Sequence, residues 1–468
     1  MQISLIVPPF KLLQEGYGIR TKIKKGNLPN LGICTIASCL EKAKHKVQII
    51  DAEAEELTYK QIYKRVLDFN SEVVGITITN AHYESMKELI MEFDKFQGPI
   101  IVGGPHATCF PLKIMKENSL IDYLIHGEGE ITIVELINAL EKNYSPRAIK
   151  GVVYRSNKQI CSTPLRPPIK NLDDIPRPAL HLLNMDLYCP LPDQYKKLPA
   201  TSWITSRGCT WRKCTFCFQA GVNAQPYRRH SPERIVNDIE WLQKKYNINE
   251  IDFFDDEFFI NEHWVEKFCN LLQERHMELS WTAYGRADHV TKKMLEIAKK
   301  SGCWGLYMGI ESGVQELLDT INKGITLDQV KQVCKWCHEV GLEVRGSFML
   351  GLPGETPEKA QKTIDFAKEL GLSTAAFHLT FPEAGTKLYD IAFKQGRILD
   401  KDRWIKRTKV AYLPEGYENT KQLEKIQKRA FRQFYFRPDY IIKRLIKIKN
   451  IADLRREVEG LKFLLGII

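Results

Sequence analysis

No run of about 18 apolar residues occurs anywhere in this 468-residue sequence, so a membrane-crossing helix is not expected. The opening residues, MQISLIVPPF, lack a basic leader, a long apolar stretch and a small-residue cleavage site. No secretion signal is therefore read there, and a cytoplasmic protein is the expectation. No Walker-type phosphate loop is present: neither GYG (16–18) nor GPHATCF (104–110) supplies one. Nothing reads as a Ser-His-Asp triad. No RNA-binding module follows the last strand–helix unit, so nucleic acid is not the expected partner.

What is present is cysteine and, at one end, positive charge. The chain has 12 cysteines. In a reducing compartment clustered cysteines bind metal or do redox work more often than they form disulfides. Cys34, Cys39, Cys161, Cys189, Cys269 and Cys303 stand apart in apolar or loop contexts and read as packing residues. The formal net charge of +11 is concentrated in the tail, where residues 401–468 hold 18 Lys and Arg against 8 Asp and Glu.

Apolar runs alternate with helical patterns over residues 1–140. The runs are ISLIVPP, KVQIID (46–51), VVGITIT (73–79), PIIVGG (99–104) and DYLIHG (122–127). That order predicts a doubly wound, Rossmann-like α/β domain, with ligands at the carboxyl ends of its parallel strands. Residues 141–195 are broken by Pro164, Pro167, Pro168, Pro176 and Pro178 and read as a connector, with a small hairpin at GVVYRSNKQICS. From 196 to 396 the alternation resumes through TSWITSRG, EIDFFDDEF, LSWTAYGRAD, GLYMGIESG, EVRGSFMLGLPGE and TAAFHLTFPEAGT. Six strand–helix units predict an open, partial (β/α)6 barrel with its site at the strand ends. Residues 397–468 read as a basic helical region.

The stretch SRGCTWRKCTFCFQ (206–219) follows the first barrel strand and carries Cys209, Cys214 and Cys217. Three thiolates on one loop do not suit a structural zinc, which takes four ligands, commonly in two separated pairs. A disulfide would leave one cysteine over. Three thiolates do suit a four-iron cluster with one iron left open to a small molecule, and Arg207, Arg212 and Lys213 would partly offset its charge. Structural or surface thiols are the alternative.

With an aromatic before the last cysteine, Phe216, this loop in this position resembles that of the radical S-adenosylmethionine (SAM) enzymes. FFDDEFFIN (253–261), GRAD (285–288), GIESG (309–313) and MLGLPGE (349–355) resemble the family's later strand-end motifs. The resemblance implies a [4Fe-4S] cluster on Cys209, Cys214 and Cys217. It also implies Phe216 near the adenine of SAM, Asp256 and Glu257 at its amino end, and Arg286, Glu311 and Ser312 around its ribose and carboxylate. The loop departs from the family pattern in a first gap of four residues, TWRK, rather than three, and in Thr210 where proline is common; three thiolates remain. The implied chemistry is reductive cleavage of SAM to a 5′-deoxyadenosyl radical, with an electron donor such as a flavodoxin or ferredoxin.

The N-terminal domain resembles the cobalamin-binding domains fused ahead of many such barrels, through LPNLG (28–32), GITIT (75–79), VGGPHAT (102–108) and HGEGE (126–130). Thr77, Thr79, Gly103, Gly104 and Gly127 would then meet the cofactor. The Asp-x-His-x-x-Gly signature of a lower-axial histidine is absent; His106 reads as a loop hydrogen-bonder. A decayed domain that only shields the barrel is the alternative. Together the resemblances imply a cobalamin-dependent C-methyltransferase acting on an unactivated carbon of a small-molecule or lipid-like substrate. Radical coupling or cyclisation without methyl transfer is the second reading, and a cluster or cobalamin carrier without catalysis the third. CKWCH (334–338) matches a haem-attachment pattern, but Val330, Val333, Cys334, Cys337 and Val340 fall on one helical stripe, which predicts a core face. The basic tail reads either as a helical cap over the barrel mouth or as a surface for a membrane or an acidic partner.

Overall fold

The computed structural model describes residues 1–10, 26–157, 159–218, 225–383, 385–399 and 410–467; the GYG stretch at 16–18 lies outside them. The chain divides into two compact units, the first built on the N-terminal strand and Asn27–Tyr188, the second on Cys189–Ile468.

In the first unit β1 (Gln2–Val7), β2 (Lys46–Asp51), β3 (Val73–Thr77), β4 (Ile100–Gly103), β5 (Tyr123–Ile125), β6 (Val152–Ser156) and β7 (Gln159–Ser162) form one sheet in the order β2-β1-β3-β4-β5-β6-β7. The first five are parallel. Their β-branched runs are apolar on both faces because helices cover both. Ile6, Ile50, Val74, Ile76 and Val102 pack with Ile62, Val66, Met86, Leu89 and Ile114 of the helices on one side. Ile3 and Leu5 are buried on the other, where the helices Leu31–Lys42 and Gly129–Glu141 bury Ile33, Ala37, Leu40, Ile133 and Leu136. The expected hairpin forms as β6 and β7, and it extends this sheet antiparallel to β5. Strand order reverses between β1 and β3, which places Thr77 and Thr79 where doubly wound folds bind ligands.

The second unit is the expected open barrel. A first strand β8 (Ala200–Trp203) leads to a ribbon of β9 (Ser206–Arg207) and β10 (Arg228–Arg229). It is followed by β11 (Glu250–Phe253), β12 (Ser280–Gly285), β13 (Cys303–Glu311), β14 (Glu343–Leu350) and β15 (Thr374–Leu379). β8 and β11–β15 form one curled parallel sheet in chain order. A ribbon of β16 (Gly396–Ile398) and β17 (Tyr412–Pro414) follows. The helix Leu327–Val340 opens with a Thr326–Gln329 capping box and ends at left-handed Gly341. It buries Val330, Val333, Cys334 and Cys337, so CKWCH is a core stripe.

Three helices close the chain. Thr420–Tyr435 buries Leu423, Ile426, Phe431 and Phe434 and lies along the free edge of β15. There side chains replace a neighbouring strand: Gln427 Nε2 donates to Phe377 O at 2.9 Å, and Tyr435 Oη accepts from Ala375 N at 3.0 Å and donates to Ala375 O at 2.9 Å. Pro438–Ile446 buries none of its residues, and Ile451–Ile467 follows it. Among the described residues no helix is long and apolar enough to cross a membrane.

Candidate active site

The cysteine loop begins where β8 ends, and a buried carboxylate fixes its entry. Asp255, just past β11, accepts from Thr205 N at 2.8 Å, Ser206 N at 2.5 Å and both hydroxyls at 2.8 Å. Further along, Thr215 N donates to Ile321 O at 2.9 Å and Leu388 N to Thr215 O at 2.8 Å. The indole of Trp211 donates to Asn322 O at 2.8 Å and lies against Gly324. The longer first cysteine gap is thus anchored, because the Trp211 indole rests on the turn after the short helix Gln315–Thr320.

Glu257 is the hub. Its carboxylate accepts from Cys209 Sγ at 2.8 Å, from Thr210 Oγ1 at 2.9 Å and from His289 at 3.2 Å. Arg286 stands 3.6 Å away. Burial alone would push Glu257 up; the bonds from His289, Cys209 and Thr210 overcome it and hold the carboxyl below its usual range. Burial first, then the bond to Glu257, pushes the Cys209 thiol up to about 12. Cys214 is also raised by burial, against the opposing pull of Lys323 and Arg286. Thr210 therefore does something a proline could not.

Arg286 pairs with Asp288 at 3.0 Å and donates to Lys323 O at 2.9 Å. Lys323 in turn pairs with Glu311 at 2.8 Å, and both side chains are nearly buried. Glu311 sits at a bulge of β13 with φ +69°. A Cβ on Gly309 would come 2.5 Å from its Oε1 and 3.1 Å from Lys323 Nζ, so a larger residue there would displace this ion pair. Lys323 Nζ lies 5.8 Å from the Phe216 ring centre. Sequence reasoning missed Lys323 and His289, because neither stands in a strand-end motif.

The remaining predicted residues divide. Asp256 is exposed to the mouth, and among the described residues no donor meets it. Protein nonetheless surrounds it: desolvation, then the Asp255 and Glu257 carboxylates, raise it to about 6. Ser312 is fully buried; its hydroxyl faces Thr363 Oγ1 at 3.2 Å and accepts from Val314 N at 3.2 Å, so it braces the turn from behind. Glu355 of GLPGE is also internal, accepting from Gly351 N at 2.5 Å and Tyr417 Oη at 2.6 Å.

Beside the loop is a cavity of about 1010 Å³, walled by Phe216, Phe218, Tyr307, Phe377, Phe431 and Tyr435. Several acids line it, and no motif announced Asp193 among them. Asp193, in the segment before β8, lines the cavity; desolvation pushes its carboxyl up, opposed by Arg345 and Arg444. Arg345 itself is buried inside the barrel, 3.2 Å from Asp252 and 3.0 Å from Thr282 Oγ1.

In the first unit Thr77, Thr79, Gly103 and Gly104 gather at the ends of β3 and β4, and Gly127 follows β5. A Cβ on Gly104 would strike Ile78 O at 2.7 Å and Thr77 Oγ1 at 2.9 Å; one on Gly127 would meet nothing within 4 Å. Thr79 Oγ1 is tied to His82 at 2.8 Å. His106 is buried against Tyr83 and Phe110, bonded to Asn80 at 2.6 Å, and burial lowers it to about 4.

Residues 203–367 match the radical SAM superfamily and residues 23–137 the B12 binding domain. An uncharacterized methyltransferase of Pyrococcus horikoshii is 33% identical over 464 residues, covering 98% of both chains. The chain belongs to the B12-binding radical SAM family. It is accordingly a radical SAM enzyme of methyltransferase-like type. The anaerobic magnesium-protoporphyrin IX monomethyl ester cyclase of Rubrivivax gelatinosus is 25% identical, over 89% of this chain and 75% of its own. In fold, the chain matches the radical SAM methyltransferase TsrM of Kitasatospora setae, solved with cobalamin and a [4Fe-4S] cluster, with a TM-score of 0.69 at 16% identity over 99% of this chain and 98% of that one.

The radical SAM loop has the donor set a four-iron cluster takes, three cysteines within nine residues, with Arg286 and Lys323 near Cys214 to offset its charge. Among the described residues no three His, Cys, Asp or Glu side chains are gathered closely enough to hold an ion as they stand; the Cys209 thiol is turned to Glu257. The open face at Gly127 and the close backbone at Gly104 fit a bulky ligand over the carboxyl ends of the first sheet. His106, enclosed by Tyr83 and Phe110, does not fit the part of a metal ligand.

Proposed function

We propose that this chain is a cobalamin-dependent radical SAM C-methyltransferase acting on an unactivated carbon of a small, largely apolar molecule. The cofactors are a [4Fe-4S] cluster, SAM and cobalamin, which when bound supply a carbon-centred radical and a methyl group. Cys209, Cys214 and Cys217 hold the cluster, Cys209 giving up its proton and its bond to Glu257 to do so, while Thr210 and His289 keep Glu257 in place. Asp256 takes the ammonium group of SAM, being exposed and, among the described residues, met by no donor. Glu311, with Lys323 and Arg286, faces the ribose and carboxylate, and Ser312 braces their turn. Phe216 offers its ring to the adenine. Thr77, Thr79, Gly103, Gly104 and Gly127 receive the cobalamin. The aromatic cavity holds the substrate and keeps water from it. A flavodoxin- or ferredoxin-like protein supplies electrons.

What supports this reading most directly is Asp256, an acid for which the described residues supply no donor, beside a three-thiol loop at the ends of a half-barrel. The test is anaerobic: protein reconstituted with iron, sulfide and methylcobalamin receives SAM, a strong reductant and a lipid or metabolite extract. Both 5′-deoxyadenosine and S-adenosylhomocysteine should rise, with a product one methylene heavier. A rise in 5′-deoxyadenosine alone would favour the second reading, cyclisation or coupling, which the likeness to a cyclase keeps in view.

A further inference from the structure

The last helix of the chain, Ile451–Ile467, turns a row of aliphatic side chains outward. Ile451, Leu454, Val458, Leu461 and Leu465 recur at helical spacing and are all exposed, Ile451 by 71%. Its inward side is mixed: Leu464 lines the cavity beside Glu457, Glu457 pairs with Arg444 at 2.8 Å, and Asp453 pairs with Arg456 at 3.0 Å. In a globular protein such a stripe ordinarily faces the core. The helix before it adds Ile441, Ile442, Leu445 and Ile446, the last 74% exposed. Nine aliphatic side chains on two consecutive helices make a patch of the kind that marks an interaction surface.

Charge indicates what covers it. Some cations of this region are paired: the half-buried Arg444 with Glu457 and Arg456 with Asp453, and the exposed Lys447 with Glu343 at 3.0 Å. Lys443, Lys449, Arg455 and Lys462 are exposed and, among the described residues, have no ion-pair partner. Protein interfaces are depleted of lysine and enriched in aromatics at their centres; this face interleaves lysine with Ile, Leu and Val. Aliphatic residues set among unpaired cations match an anionic bilayer surface, with the helices lying in its plane.

The patch is continuous with the cavity. Ile441, Leu445 and Leu461 line the cavity and are also exposed on this face. Resting on the proposed reading of that cavity as the substrate site, we infer that the last two helices dock on an anionic membrane and that the substrate is an acyl- or isoprenoid-chain lipid entering between Leu445 and Leu461.

Vesicle flotation of the full-length reconstituted protein tests this. It should float with phosphatidylglycerol–phosphatidylcholine vesicles at least about tenfold more than with phosphatidylcholine alone, and less at high salt. The Leu454→Glu/Val458→Glu variant, whose changes lie outside the cavity, should lose that flotation. With a photoreactive acyl-chain phosphatidylglycerol in the vesicles, cross-links should map both to 441–464 and to the cavity wall at 374–381. No preference for the anionic vesicles would overturn the docking. A solution dimer that the double variant dissolves would assign the face to a second copy instead. Cross-links confined to the outer stripe would overturn lipid entry. Substrate-free formation of 5′-deoxyadenosine, measured in parallel, separates the two readings: flotation without it faults the proposed chemistry, and its presence without flotation faults only the membrane inference.

Discussion

Gly324→Ala should disable the cysteine loop from the far side of the turn that supports it. Gly324 has φ +71°, which an alanine adopts at a cost of about 1–2 kcal/mol. Its Cβ would lie 2.6 Å from Trp211 Cε2 and nearer still to the rest of that ring edge. Ordinary carbon contact is about 3.5 Å, so the indole must move by about 1 Å or more. That strains or breaks its bond to Asn322 O, worth about 1 kcal/mol. The sum is about 2–3 kcal/mol, a fall in melting temperature of roughly 3–5 °C for a unit of this size. Function should suffer more, since a misplacement of about 1 Å can cost about 100-fold in rate, and Trp211 lies between Cys209 and Cys214. The assays are iron per protein, 5′-deoxyadenosine formation and thermal unfolding, with cobalamin content as the control. Trp211→Ala in the same chain should restore part of the iron by removing the clash. Full iron and near-normal cleavage in Gly324→Ala would refute the idea that the indole seats the loop.

Three further outcomes follow from other buried groups. Cys214→Ala should abolish iron binding and leave the first unit folded with its cobalamin; unchanged iron would sink the ligand assignment. Arg345→Met should cost about 3–5 kcal/mol in denaturant unfolding by leaving Asp252 buried without its partner, and a loss under 1 kcal/mol would contradict that. Glu355 is pushed up to about 7 by burial, so between pH 4.5 and 7 the folded chain binds the extra proton. Its contribution is then full at low pH and lost as pH rises through 7. Glu355→Gln, which keeps an acceptor for Gly351 N and Tyr417, should flatten that part of the stability profile by up to about 3 kcal/mol; a profile identical to the parent's would show that Glu355 does not titrate there.

Much of this architecture is legible in the sequence because the parallel strands of the first sheet, buried on both faces, leave continuous apolar runs ended by Gly, Asp or Thr, while the barrel strands are marked by the regular alternation of short strand runs with helical patterns. The order β2-β1-β3 is not, since the runs of β1 and β3 look alike and pairing is decided by how helices distribute over two faces. Within the site, cysteine spacing announces the loop, but its seating depends on Trp211 meeting Gly324, a pair more than a hundred positions apart. Asp193 is silent for the same reason: it stands in a proline-broken segment and matters only because the barrel opens toward it. Ser312 shows the converse, a motif residue whose hydroxyl turns inward to Thr363. The last helix misleads by period alone, because a stripe at i, i+3 and i+7 fixes a face and not the direction in which it points.

The barrel sheet adds its strands in chain order, so each new strand finds its partner already in place as the polypeptide emerges from the ribosome. That economy leaves β15 as a raw edge until Gln427 and Tyr435 have been synthesised and laid along it. Bare edges recruit other chains, and the closing helix therefore removes one of the two edges, the β15 side, from reach of a neighbouring chain.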